Sequence, residues 1–126
     1  MKLKPEFPDS ILWELAKPEG LTPIQIFSAA RQSDPLAVQV LDHLAGWLGL
    51  GVANIISLVN PQIVILGGGI GSHCQDLLPR IRQVAKRWAQ PFSAQSCQIT
   101  VSQLGTEACL LGAAYSALQR GQAEQA

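Results

Sequence analysis

Apolar side chains recur three, four or seven residues apart along most of this chain, and two short stretches depart from that helical period. After a start rich in proline and charge, residues 1–8 read as a loose tail. A short helix is predicted from Asp9 or Ser10 to Leu15 or Ala16, closed by Pro18 and Gly20. Thr22-Pro23 is an N-cap followed by a proline at the first helical position, and Ile24, Phe27 and Ala30 carry a second helix to about Gln32. Ser33-Asp34-Pro35 repeats the device and opens a long helix, about 39 Å at 1.5 Å per residue. Its apolar positions are Leu41, Leu44, Leu48, Ile55 and Val59, and Asn60-Pro61 ends it.

The period then breaks. Residues 62–66 are a continuous apolar, β-branched run of strand length, as expected of a parallel strand buried on both faces. It stops at Gly67-Gly68-Gly69-Ile70-Gly71. A helix is predicted from His73 or Gln75 to Gln90, with Leu77, Leu78, Ile81, Val84, Ala85 and Trp88 inward and Arg80, Arg82, Lys86 and Arg87 largely solvated. A loop containing Pro91 leads to a second strand over residues 97–102. Thr106 is a plausible N-cap for a last helix whose apolar face is Leu110, Leu111, Ala114, Tyr115 and Leu118. Residues 9–120 therefore read as one domain of α/β class, mostly helical with a small parallel sheet, and residues 121–126 as a frayed tail. Strand, helix, strand in this order implies a crossover between parallel strands.

Composition sharpens this. The 126 residues carry nine basic and nine acidic side chains, and only 14% are charged against an average near a quarter. With mean hydropathy at +0.20, much of the surface is suited to burial against a partner. The low charge excludes disorder, and a neutral balance argues against nucleic acid as the partner. Three scattered cysteines form no zinc or disulfide pattern and point to a reducing cytoplasm. No apolar run follows the N-terminal lysines, so secretion is not expected. Residues 43–75 lack charge, but the helical stretch 44–59 is shorter than the ~20 residues of a membrane span and contains Asn54 and Ser57. No membrane is expected.

Candidate chemistry is sparse. Gly67, Gly68 and Gly69 follow an apolar strand, where removal of Cβ atoms lets a phosphate or an adenosine face approach the backbone. On the residues alone the run serves equally well as a plain connector: Ser72 replaces the third glycine of Gly-x-Gly-x-x-Gly, and no Gly-Lys-Ser/Thr follows. Gly46, Gly49 and Gly51 form with Ala53 and Ser57 a small-residue stripe, better explained by close helix packing within the domain or a dimer than by ligand contact. Among the other candidates, Asp42-His43 reads as a surface or packing pair, no third group orients the His73-Cys74 pair, Asp76 is the only carboxylate near the glycine turn, and a dipole interaction in the first turn of the last helix accounts for Glu107.

Taken in order, the residues resemble a known family. Leu21-Thr22, Ala29-Ala30, Ser33 to Ala37, the run from Leu48 to Pro61, the strand with Gly67-Gly68-Gly69-Ile70, Leu104-Gly105 and Leu110-Leu111-Gly112-Ala113-Ala114 are similar to the ROK family of sugar kinases and sugar-responsive repressors. The resemblance implies a partial actin-like ATPase fold, ribonuclease H-like, of C-terminal-lobe type. It implies ATP or ADP with Mg²⁺ as cofactor, with Gly67, Gly68 and Gly69 beside the adenosine. The Asp-x-Gly-x-Thr/Ser phosphate loop, the base aspartate, the His-x-Gly-x-x-His and Cys-x-Cys-Gly-x-x-Gly-Cys zinc region and the repressors' helix-turn-helix are not in these residues. No catalytic residue carries over, no zinc site is retained, and no kinase activity is expected of the chain alone. The expected partner is a second copy or a missing N-terminal lobe. A non-enzymatic oligomerisation or nucleotide-binding remnant stays open beside the kinase-lobe reading.

Overall fold

The computed structural model describes residues 6–16, 20–71 and 73–123. Helix α1 (Leu12–Leu15), α2 (Pro23–Arg31) and α3 (Pro35–Val59) come first, then strand β1 (Ile63–Leu66) and a single helical turn, α4 (Gly68–Gly71). A 3₁₀ turn (Cys74–Leu77) leads into α5 (Leu78–Trp88), followed by α6 (Pro91–Ser96), strand β2 (Gln98–Val101), a second 3₁₀ turn (Gly105–Glu107) and α7 (Ala108–Ala123).

The caps fall where proline and polar residues place them. Thr22 and Gln25 form a reciprocal capping box at α2. Asp34 caps α3 through Ala37 N–H at 2.9 Å and also accepts from Ser10 Oγ at 3.0 Å and Ile11 N–H at 2.8 Å, which pins α1 to the start of α3. Phe7, within the stretch read as a tail, packs on the small cluster of Leu12, Ala29, Leu36 and Ala37, and its carbonyl accepts from Trp13 Nε1 at 2.6 Å. The Pro91 loop is a helical turn: proline sits in its first turn and Gln90 Oε1 accepts from Ser93 N–H at 2.8 Å. Pro79 similarly sets where α5 begins, so the preceding residues form a 3₁₀ turn instead of extending the helix. At the far end α7 runs on to Ala123, through the start of the segment read as frayed; residues 124–126 lie outside the described residues.

The main core lies between α3, α5 and one face of the sheet, with Phe27, Leu41, Val52, Ile56, Leu78 and Ile81 among its buried members. Full burial of a side chain such as Ile81 stabilises by about 1.5–3 kcal/mol. Of the apolar positions read for α3, Leu41 is buried and Leu44 and Leu48 pack against the core, but Ile55 and Val59 do not. Ala45, Gly49, Val52, Ala53 and Ile56 turn inward, while Ile55, Leu58 and Val59 are exposed. The reason is close approach: a Cβ on Gly49 would lie 2.6 Å from Val84 Cβ and 3.0 Å from the Ile81 carbonyl of α5. The small-residue stripe is thus a seam inside the domain at Gly49, whereas Gly46 and Gly51 face open space. Ser57 extends the seam, donating to Ala53 O at 2.8 Å and accepting from Gln90 N–H at 2.9 Å.

By length and mean hydropathy (1.4), α3 is able to cross a membrane, and it is longer than the stretch 44–59 isolated from sequence. It packs as a core helix, and its Asp42 is ion-paired with Arg80 at 3.0 Å. The two strands run parallel with Ile63 opposite Gln98 and Leu66 opposite Val101. Their burial differs from expectation: Val64, Leu66, Ile99 and Val101 face the core, while Ile63 and Ile65 are exposed, because the helices packed on the sheet cover one face only. Trp88 also departs from expectation; it lies outward, with the Arg87 guanidinium 5.7 Å from its ring. Finally α7 packs on the turn that leads into it and leaves Leu110, Leu111, Tyr115 and Leu118 exposed, so its apolar face is not spent inside the domain.

Candidate functional site

Parallel strands end on the same side of a sheet, and the turns that follow β1 and β2 meet there. The turn after β1 is Gly67 to Gly71; the one after β2 runs from Ser102 through Gly105 to Glu107. A Cβ on Gly67 would lie 3.6 Å from Ser102 Cβ, so the two turns sit flank to flank. Ser102 Oγ accepts from Leu104 N–H at 3.2 Å and shapes the second turn.

The glycines divide by what demands them. Gly68 has φ +80°, a backbone conformation in which a side chain is strained. Gly71 is demanded by proximity, since its Cβ would meet the Leu66 carbonyl carbon at 3.0 Å. Gly67 and Gly69 carry neither demand: both are exposed, and a Cβ on Gly69 would meet nothing within 4 Å. The fold needs glycine at two of these positions, and at the other two it leaves a bare backbone shelf open to solvent. A cavity of about 270 Å³ touches this shelf at Gly67 and Gly71; its other lining residues are Leu44, Leu48, Ile65, Leu66 and Cys74, an apolar set unsuited to phosphate.

The remaining candidates do not converge. His73 packs its ring on Phe27, 5.6 Å between centroids, while Cys74 is buried in the core and burial pushes its thiol up. A thiol held neutral and away from solvent is no nucleophile, so the His73-Cys74 pair is dismissed. Asp76 is ion-paired with Arg31 at 3.0 Å, and Asp42 is held by Arg80 rather than by its neighbour His43. Of the cations read as a solvated face, Arg80 pairs with Asp42 and Arg82 donates to the Ile99 carbonyl. Glu107 is exposed at the end of the second turn, and α7 starts at Ala108, two residues beyond the expected cap Thr106. Among the described residues no three His, Cys, Asp or Glu side chains come together as metal ligands.

Residue-by-residue reading missed Ser102 and Gly105 as the second wall of the shelf. The signal was present: a strand followed by glycine occurs twice, and parallel pairing forces the two ends together.

Comparison with known proteins follows the same outline. The profile of the ROK family matches residues 10–120. A glucokinase from Halalkalibacterium halodurans is 34% identical over 79% of this chain and 30% of its own length. A xylose repressor from Caldicellulosiruptor bescii is 31% identical over 81% of this chain and 25% of its own. The crystal structure of a ROK family glucokinase from Streptomyces griseus in complex with glucose and AMPPNP superposes with a TM-score of 0.77 at 34% identity, covering 92% of this chain and 39% of that one. The chain thus spans about a third or less of the length of the curated relatives it matches.

Proposed function

The chain belongs to the ROK family, and from that premise we propose that it forms the adenosine-side wall of a ROK-type sugar kinase, of C-terminal-lobe type, with ATP or ADP and Mg²⁺ at Gly67, Gly68 and Gly69. The observation that carries this reading is its likeness, over 92% of its length, to a glucokinase solved with glucose and AMPPNP. The shelf suits the task, because Gly67 and Gly69 leave backbone bare at the carboxyl ends of two parallel strands, where nucleotides bind in open α/β sheets. Asp76, the carboxylate closest in sequence to the glycines, is already committed to Arg31.

Phosphoryl transfer requires both substrates aligned in a water-poor cleft, and one wall cannot supply that alignment. The chain accordingly has no phosphotransferase activity by itself and works, in the cytoplasm, with the remaining lobe of a ROK protein. The test is calorimetric titration of the purified chain with ATP and ADP in the presence of Mg²⁺, with the mass in solution recorded on the same sample. Binding that weakens on Gly68→Val supports the reading; a well-folded chain that takes up neither nucleotide refutes it.

The match to a xylose repressor favours a second reading, a non-enzymatic ROK module that assembles through its exposed apolar faces. A stable homodimer without nucleotide affinity selects it.

A further inference from the structure

Helix α5 carries Arg80, Arg82, Lys86 and Arg87, and no Asp or Glu stands in the sequence between Asp76 and Glu107. In a chain of zero net charge this gathers positive potential on one helix and the strand that follows it. The four cations are not used alike. Arg80 is paired with Asp42 at 3.0 Å, and the Arg87 guanidinium lies 5.7 Å from the Trp88 ring. Arg82 and Lys86 instead line one cavity of about 400 Å³, together with Cys97, Gln98, Ile99 and Thr100. No carboxylate belongs to that lining, and among the described residues Lys86 has no ion pair. Burial pushes the Cys97 thiol up, so it brings no negative charge either.

The lining is arranged for an anion. Arg82 and Lys86 are four residues apart, so they share one helix face and repel each other until a negative group lies between them. The guanidinium is fixed before any ligand arrives, since its Nε and Nη2 donate to the Ile99 carbonyl at 3.0 and 2.6 Å and leave Nη1 for another acceptor. A donor held in this way gives up less freedom on binding. Along β2 the Gln98 and Ser102 N–H groups donate to β1, so alternation turns the Ile99 N–H to the cavity edge. Gln98 and Thr100 add an amide and a hydroxyl that donate or accept. Two cations match the charge of a phosphate group better than the single charge of a carboxylate. The volume is that of a small-molecule site, so it has room for more than the phosphate itself.

We propose that this cavity binds a phosphate group, free or as the monoester of a small hydroxylated molecule, with Lys86, Arg82 Nη1 and the Ile99 N–H on its oxygens and Gln98 and Thr100 towards the rest of the ligand. The site stands apart from the glycine turn: Cys97 and Gln98 lie at the start of β2, whereas the shelf follows its other end at Ser102. It does not rest on the nucleotide reading.

The experiment titrates the isotope-labelled full chain at neutral pH with inorganic phosphate, with ribose 5-phosphate and with ribose, each beside a sodium chloride series of equal ionic strength, and follows amide shifts by two-dimensional NMR. We expect saturable shifts centred on Gln98, Ile99 and Thr100 with both phosphate-bearing probes and none with ribose. Tighter binding of the ester identifies an esterified ligand, and equal binding identifies free phosphate. Lys86→Met should weaken binding about fivefold, the upper range for an exposed ion pair. Arg87→Met removes the same charge outside the cavity and should leave the affinity unchanged. Both side chains are exposed, and unchanged circular dichroism checks that the variants fold. Shifts that merely track sodium chloride, equal losses in the two variants, saturable binding of ribose, shifts confined to Gly67, Gly68 and Gly69, or no shift at all each overturn the proposal.

Discussion

Replacing glycine by alanine within α3 should change stability in opposite directions depending on position. In a helix interior the exchange gains about 1 kcal/mol from the smaller entropy of the unfolded chain and better helix propensity. At Gly46 the new methyl meets nothing within 4 Å, so Gly46→Ala should show that full gain. At Gly49 the same methyl would lie 2.6 Å from Val84 Cβ, 2.8 Å from Val84 Cγ1 and 3.0 Å from Ile81 O. Two of these atoms are backbone or attached directly to it, so no rotamer change relieves the clash and α3 must move away from α5. Overpacking of a tight seam costs about 1–3 kcal/mol, and forced backbone movement places this case at about 2–3. Gly49→Ala should then be about 1–2 kcal/mol less stable than the parent, and the two variants should differ by about 2–3 kcal/mol, because the propensity gain cancels between them. Urea denaturation followed by far-ultraviolet circular dichroism measures this, with Gly51→Ala as a second open-space control. A Gly49→Ala chain as stable as Gly46→Ala, with equal m-values, would mean that α3 and α5 do not meet at this seam.

Gly68→Val should cost the chain about 1–2 kcal/mol from its left-handed backbone and weaken ATP or ADP binding in calorimetry; unchanged heats would remove the shelf from consideration. Asp34→Ala should lower stability by about 1–2 kcal/mol, as lost helix caps do, measured by urea denaturation. Burial opposes ionisation of Asp34, but bonds from Ala37 N–H, Ile11 N–H and the Ser10 hydroxyl outweigh it and hold its carboxyl below the usual value of 3.8. The unfolded chain therefore takes up the proton first, so this stabilisation is complete above about pH 5 and fades as pH falls through the unfolded and then the folded pKa; Asp34→Asn should flatten that part of the pH profile. Cysteine labelling should run Cys109 first, Cys97 more slowly and Cys74 only on unfolding, since Cys109 is exposed while burial pushes the other two thiols up; equal rates for Cys74 and Cys109 would contradict the packing described.

Much of the fold was legible where local chemistry dictates it. Thr22, Asp34, Pro23, Pro35 and Asn60-Pro61 set the ends of α2 and α3, because capping and proline act within a few residues. The stripe of small residues announced a close packing seam, but its partner Val84 lies 35 residues away and no local signal names it. The same non-locality hid how the second half of α3 packs: Leu41, Leu44 and Leu48 lie on the core as their spacing suggests, whereas beyond Gly49 the helix buries Val52, Ala53 and Ile56 and leaves Ile55 and Val59 exposed. At the shelf, Gly67, Gly68 and Gly69 could be singled out, yet only the parallel register brings Ser102 and Gly105 beside them. The anchoring of Arg82 on the Ile99 carbonyl depends on where its side chain reaches, which its place among four cations on one helix did not reveal.

The parallel register also orders events in time. Ile63 meets Gln98 only after the intervening helices have brought the chain round, and closing a loop of that length costs about 3 kcal/mol of entropy before any ladder bond forms. Helices form in microseconds or less, while non-local strand pairing waits. During synthesis α3 and β1 leave the ribosome well ahead of β2, so for an interval the edge of β1 that β2 later covers is open. Arg82 precedes Ile99 along the chain, so the side chain that bonds the Ile99 carbonyl is already in place as β2 emerges, and the strand that arrives last meets both its partner β1 and a waiting guanidinium.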